Sequence, residues 1–336
     1  MKKILCLLML SALASCSTQS NKLSDTPKAK VGFDSVLTDY KYPYTVNFYE
    51  FNAQGQKMSM AYMDVKPSGA PKKTIVLLHG KNFSGFYFAP IIKELVANGY
   101  RVIAPDQIGF GKSTKPESFQ YSFHTLAKFT VELLNSLDVK EFTLAGHSMG
   151  GMLATRLALM YPEKVQKMIL VNAIGLEDYK TLTPYKSFDE QYAGELKSDA
   201  NKIRNYQKEA YYDGAWKDEY EPMLTPAIGW TLGPDFPLIA KTSALLSEII
   251  YTQPVYYEFK NLKVPTTLIM GQRDKTAPGK PFASPENQKK MGNYPKLGRD
   301  VVKMIPKGKL VPMNGLGHVP FAEDLAGFMK VFTAEL

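Results

Sequence analysis

Three residue types in this chain could together activate a hydroxyl group. The serine is Ser148, set in Gly146-His147-Ser148-Met149-Gly150, a G-x-S-x-G pattern. With 24 Gly among 336 residues, chance gives about 0.1 such matches in a chain this long, so the pattern needs support from its setting. A hydroxyl is a poor nucleophile until a base takes its proton. There are four histidines. His79 ends an apolar run before Gly80, His124 begins an amphipathic stretch, and His147 lies inside the pattern itself. His318 occupies the glycine-rich "NGLGHVPFAED", a loop from which an imidazole can swing over a serine. The base needs an acid to hold its tautomer and stabilise its charge. Asp274, in "LIMGQRDKTAP", follows an apolar run and is the preferred acid. Glu177 and Asp178 follow the preceding apolar run and are its rivals, but they open a different region of the chain.

Attack by Ser148 on a carbonyl would leave an oxyanion that needs two donors. The expected ones are the backbone N–H groups of Met149, next to the serine, and of Lys81, in the loop after "LLHG", with Asn82 as the fallback for Lys81.

These residues must be held by regular elements. "YTVNFYEFNAQGQKMSMAYMDV" (44–65) alternates around Asn52-Ala53-Gln54-Gly55 and reads as a β-hairpin. The runs 74–80, 101–106, 142–146, 167–173, 266–271 and 309–314 read as strands, the first being the continuous apolar kind buried on both faces. Stretches 88–100, 125–137, 151–161 and 323–336 have helical spacing. Strands alternating with helices argue for a mostly parallel sheet covered on both faces. Ser148 then sits between a strand and a helix, where flanking glycines permit a sharp turn and the helix N-terminus favours a developing negative charge. Residues 175–262 contain no buried strand and hold both tryptophans, Trp216 and Trp230, among many tyrosines. They read as a helical lid, its aromatics mostly packing within it.

The chain opens with "MKKILCLLMLSALASC": two lysines, an apolar stretch from Ile4 to Leu13, then small residues before Cys16. This is the pattern of an export signal. Leu13-Ala14-Ser15-Cys16 resembles the lipobox of bacterial lipoproteins, which implies cleavage before Cys16, lipidation of that cysteine and a place in the cell envelope, with the outer membrane favoured by Ser17. The expected divisions are a signal at 1–15, a tether at 16–39, a first core segment at 40–174, the lid at 175–262 and a second core segment at 263–336. Cys6 and Cys16 are the two cysteines, so a processed chain has no thiol for a disulfide, a metal site or a Cys nucleophile. The formal charge is +9, and loss of Lys2 and Lys3 would make it 9 − 2 = +7. With no arginine-rich run or nucleic-acid motif, this basic balance reads as a soluble surface with at most weak attraction to anionic lipid or polysaccharide.

Taken together, "LLHGKN", "APDQIGFGKS", "GHSMGG", "GQRD" and "GHVPFAED" resemble the α/β-hydrolase superfamily, over roughly residues 40–336. The resemblance implies an α/β fold with a mostly parallel central sheet, helices on both faces and a helical cap after the sixth strand. It also implies the chain order Ser148, Asp274, His318. Asp106, opening the turn from Asp106 to Ser113, is expected to hold a loop. One departure stands out: 43 residues separate Asp274 from His318, and "GKPFASPENQKKMGNYPKLGRD" reads as an insertion. The leading activity is hydrolysis of a carboxylic ester or related small acyl substrate, with no metal or organic cofactor. Relatives acting on haloalkanes or epoxides use an Asp nucleophile, which Ser148 speaks against. The alternatives are a carbon–carbon bond hydrolase of the meta-cleavage type and a non-catalytic ligand-binding surface lipoprotein.

Overall fold

The computed structural model describes residues 32–336. The signal at 1–15, the lipidation site Cys16 and most of the expected tether lie outside the described residues.

β1 (Val46–Ala53) and β2 (Gln56–Val65) form the expected hairpin. Its two-residue loop, Gln54 and Gly55, has φ of 49° and 74°. Two positive φ angles in succession match the right-handed twist of the flanking strands. β3 (Thr74–Leu78), β4 (Arg101–Pro105), β5 (Phe142–His147), β6 (Val165–Val171), β7 (Thr266–Gly271) and β8 (Gly308–Met313) complete the sheet. The spatial order is β1-β2-β4-β3-β5-β6-β7-β8, antiparallel through β2/β4 and parallel from there on. Every residue of β5 and β7 is buried, as covering both faces of a parallel sheet requires.

Alternate residues of each strand serve opposite faces. Val76, Leu78 and Ile103 join one apolar layer, with Leu126 of α2 (Phe123–Ser136), Leu153 of α3 (Met149–Met160) and Val301 of α9 (Tyr294–Met304). Ile75, Leu77 and Val102 join the other, with Ile92 of α1 (Ala89–Ala97) and Phe328 of α11 (Leu325–Ala334). Between β6 and β7 the chain leaves the sheet for the cap: α4 (Phe188–Glu195), α5 (Ala200–Tyr212), α6 (Glu221–Thr231) and α7 (Phe236–Thr252). A capping box between Ser187 and Glu190 starts α4, satisfying two end donors reciprocally.

Two sequence expectations are corrected here. Residues 32–39, assigned to the tether, are packed on the cap. Phe33 N–H donates to Gly229 C=O (3.0 Å), Trp230 Nε1 donates to Asp34 C=O (3.0 Å), and Leu37 is fully buried. The arm is too short for a helix or strand pattern to reveal, and its partners lie about 200 residues away. The stretch after Asp274 is not an appendage. It forms α8 (Pro285–Lys290) and then α9, which buries Tyr294, Gly298 and Val301 and covers the β7–β8 edge of the sheet. Its proline, glycines and lysines hid the apolar stripe. The closing helix expected over 323–336 is α11, started by the Asp324 carboxylate on Gly327 N–H (2.9 Å), with a separate short helix α10 (Pro320–Glu323) before it.

Candidate active site

Ser148 links β5 to α3 with φ 57° and ψ −123°. A non-glycine residue with positive φ is strained and needs enforcement by its surroundings. The glycines supply it. A Cβ on Gly146 would overlap the Gly150 carbonyl, one on Gly150 would overlap the Leu78 carbonyl of β3, and one on Gly151 would overlap Ala173. Strand, turn and helix approach each other too closely for any side chain at these points. Ser148 N–H donates to Val171 C=O (3.2 Å) and its carbonyl accepts from Ile174 N–H (3.2 Å), tying the turn to the end of β6.

Asp274 and His318 lie together at the ends of their loops. His318 Nδ1 lies 2.7 Å from Asp274 Oδ2, and neither side chain is exposed. A carboxylate only accepts, so the Nδ1 proton faces Asp274, and in the neutral ring Nε2 keeps its lone pair. Nε2 is buried and has no hydrogen-bond partner. Asp274 is fully engaged: Oδ2 also accepts from Asn172 Nδ2 (2.8 Å) and Oδ1 from Thr276 N–H (2.8 Å).

The rival carboxylates serve the scaffold. Glu177 accepts from Gly292 N–H (3.0 Å), while Asp178 accepts from Lys180 N–H (3.0 Å) and the Tyr257 hydroxyl (2.9 Å). Asp106 holds loops. Its Oδ1 accepts from Gly85 N–H (2.6 Å), and its Oδ2 from Tyr42 (2.6 Å) and from Lys112 N–H (2.8 Å).

The turn after β3 lies directly over the serine. A Cβ on Gly80 would come 2.9 Å from Ser148 Cβ and 3.4 Å from Oγ. Lys81 and Asn82 follow, in a turn closed by Phe83 N–H on Gly80 C=O (3.1 Å). The Lys81 ammonium reaches the cap, at Glu195 Oε1 of α4 (3.2 Å) and Ser243 Oγ of α7 (2.8 Å). Met149 is the first residue of α3, where N–H groups have no intrahelical acceptor. The turn that carries Lys81 and Asn82 and the first residue of α3 thus both adjoin Ser148.

Residues 73–296 match the model of a family described by the alpha/beta hydrolase fold. The chain belongs to the α/β-hydrolase fold family. A solved structure of a probable hydrolytic enzyme from Pseudomonas aeruginosa PAO1 superposes with a TM-score of 0.90 and 43% identity, covering 92% of this chain and 99% of that one. An uncharacterized hydrolase of Bacillus subtilis is 38% identical over 31% of this chain and 38% of its own length. A haloalkane dehalogenase of Mycolicibacterium paratuberculosis is 31% identical over 39% of this chain and 44% of its own length. The match thus spans less than half of these two curated relatives.

Several site residues of this α/β hydrolase carry no sequence signal. Asn172, just after β6, has φ 40° and is fully buried. Besides Asp274, it holds Gly271 N–H through Oδ1 (2.9 Å). Only its place at a strand end, with a residue type that tolerates positive φ, could have drawn attention. His147 joins a second hidden set. Its Nε2 lies 2.7 Å from the His318 carbonyl and its Nδ1 2.8 Å from the Tyr87 hydroxyl. A carbonyl only accepts, so Nε2 carries the proton and Nδ1 accepts from Tyr87. Tyr87 accepts in turn from Gly80 N–H (3.2 Å). Burial, then the neighbouring His318 ring, push the His147 pKa well below the usual imidazole value, so the ring stays neutral and this run of bonds keeps one direction. His79 is likewise structural: buried, it accepts from Gln107 N–H (3.0 Å) and joins the ends of β3 and β4. His124 heads α2 on the exposed surface.

Proposed function

We propose that this hydrolase cleaves a carboxylic ester or related small acyl compound through an acyl-enzyme on Ser148. The observation that carries the reading is His318, held by Asp274 through Nδ1 with a buried, unpartnered Nε2, in a loop bonded to the residue before Ser148. Ser148 Oγ bonds to the carbonyl carbon while its proton passes to His318 Nε2. The oxyanion is held by the N–H groups of Met149 and Lys81. The tetrahedral intermediate expels the leaving group, which takes the proton back from His318. Water then repeats the sequence, with its proton going to His318, and frees the acid and Ser148. Asp274 keeps His318 oriented and stabilises its charged form. No step uses a metal or organic cofactor. The haloalkane reading, expected to need an Asp nucleophile, is disfavoured by the serine at position 148.

The test is reaction with a fluorophosphonate and peptide mass spectrometry, with Ser148→Ala as control. A single adduct on the peptide containing Ser148 is expected. A folded protein that acquires no adduct, or acquires it at another serine, refutes the reading.

We also propose that Cys16 is lipidated and anchors the enzyme in the cell envelope. The support is the sequence before it, "LLMLSALAS". Cys16→Ala is expected to move the protein from the membrane fraction to the soluble fraction. Retention in the membrane fraction would count against lipidation.

A further inference from the structure

A helix leaves its last carbonyls without intrahelical donors. At the end of cap helix α5, three successive ones are taken by the loops that carry the acid and the base. Ala210 C=O accepts from Lys275 N–H (3.1 Å), Tyr211 C=O from His318 N–H (2.8 Å), and Tyr212 C=O from the Arg273 guanidinium (2.8 Å). The approach is close enough that a Cβ on Gly317 would overlap the Tyr211 carbonyl. Asp213 then turns the chain away in the left-handed region, φ 52° and ψ 43°.

Tyr211 does more than its neighbours. Its ring lies against the His318 imidazole, centroids 4.3 Å apart and planes 31° apart. Its hydroxyl accepts from Asn82 Nδ2 at 2.8 Å, and the residue is 3% exposed. One side chain thus touches the base and the turn expected to bind the oxyanion. Those two loops leave β3 and β8, which are separated in the sheet by β5, β6 and β7. With strands about 4.8 Å apart, the two roots are roughly 19 Å from each other. The sheet ladder does not bond one loop to the other.

We propose that Tyr211 is a positioning residue that sets the Lys81–Asn82 turn and His318 in register over Ser148, so that the cap completes the catalytic geometry as well as covering it. The inference rests on Ser148 being the acylated nucleophile. The ring and carbonyl fix the face and height of the imidazole. The hydroxyl fixes Asn82, and with it the backbone that follows Gly80. A tyrosine that only filled space would lose nothing with its hydroxyl, whereas this one would release the turn.

Tyr211→Phe keeps the ring and the carbonyl and deletes the bonds of the hydroxyl to Asn82 and to Tyr206. In the full-length chain it is expected to slow fluorophosphonate acylation of Ser148 about 10-fold at saturating reagent, since small misplacements of a reacting group are costly in rate. The unfolding temperature and the reagent concentration at half-saturation should stay near wild type. Asn82→Ala should slow the reaction similarly. The double variant should be no slower than Tyr211→Phe alone, because Asn82→Ala removes a bond that Tyr211→Phe has already removed. Wild-type acylation rates in Tyr211→Phe, or losses that multiply in the double variant, overturn this inference alone. Failure of the wild-type chain to label at Ser148 overturns the serine-hydrolase reading, and this inference with it.

Discussion

Ser148→Ala is expected to remove turnover almost completely, by about 10⁴- to 10⁶-fold, while leaving the fold intact. The size follows from the division of labour. His318 and the backbone donors have no chemistry of their own once the atom that bonds to the carbonyl carbon is gone. What survives is binding and polarisation of the substrate, worth roughly 10³- to 10⁴-fold over water. The fold should tolerate the change because alanine keeps the Cβ, so the strained φ of 57° is neither relieved nor worsened. The contacts that hold the turn come from the Ser148 backbone, to Val171, Gly151 and Ile174. Thermal unfolding and hydrolysis of a panel of small esters check both halves. A folded variant that retains turnover would refute Ser148 as nucleophile.

Asp274→Asn is expected to slow acylation about 10³- to 10⁴-fold, the scale found when a triad loses the acid that sets its tautomer. Asp274 has three donors pointing at it: His318 Nδ1 and Asn172 Nδ2 on one oxygen, Thr276 N–H on the other. An asparagine offers one oxygen and one NH₂. If its oxygen stays with Thr276, the NH₂ faces His318, which must then move its proton to Nε2 and can no longer accept from Ser148. If the oxygen turns to His318 and Asn172, the NH₂ collides with Thr276 N–H, and a buried donor loses its acceptor. Neither arrangement preserves both the tautomer and the loop. The measurement is the rate of fluorophosphonate labelling of Ser148, beside the unfolding temperature. A loss of less than tenfold would mean that another group orients His318.

Much of the site was readable because its demands are local. The glycines about Ser148 answer a steric problem within a few residues, and that problem leaves its mark in the chain. The loop position of Asp274, and its pairing with His318, follow from strand order. The cap was legible as a stretch without strands, but its helices' ends were not. The arm at 32–39 and the α9 crossover were misjudged for one reason. Each is defined by what it packs against, and its own pattern is weak or broken by proline and glycine.

The sequence alone determined the alternating sheet, the strained strand–turn–helix at Ser148 and the choice of residue types able to activate it, since these depend on backbone sterics and side-chain chemistry close along the chain. The tertiary structure alone decided what holds those residues to their task. Asn172 meets Asp274 across 102 positions, Tyr211 meets Asn82 across 129, and His147 meets the His318 carbonyl across 171. Such contacts join groups whose types are ordinary and whose spacing carries no period. A hydrogen bond between loops rooted on different strands becomes visible only when the sheet has set the distance between them.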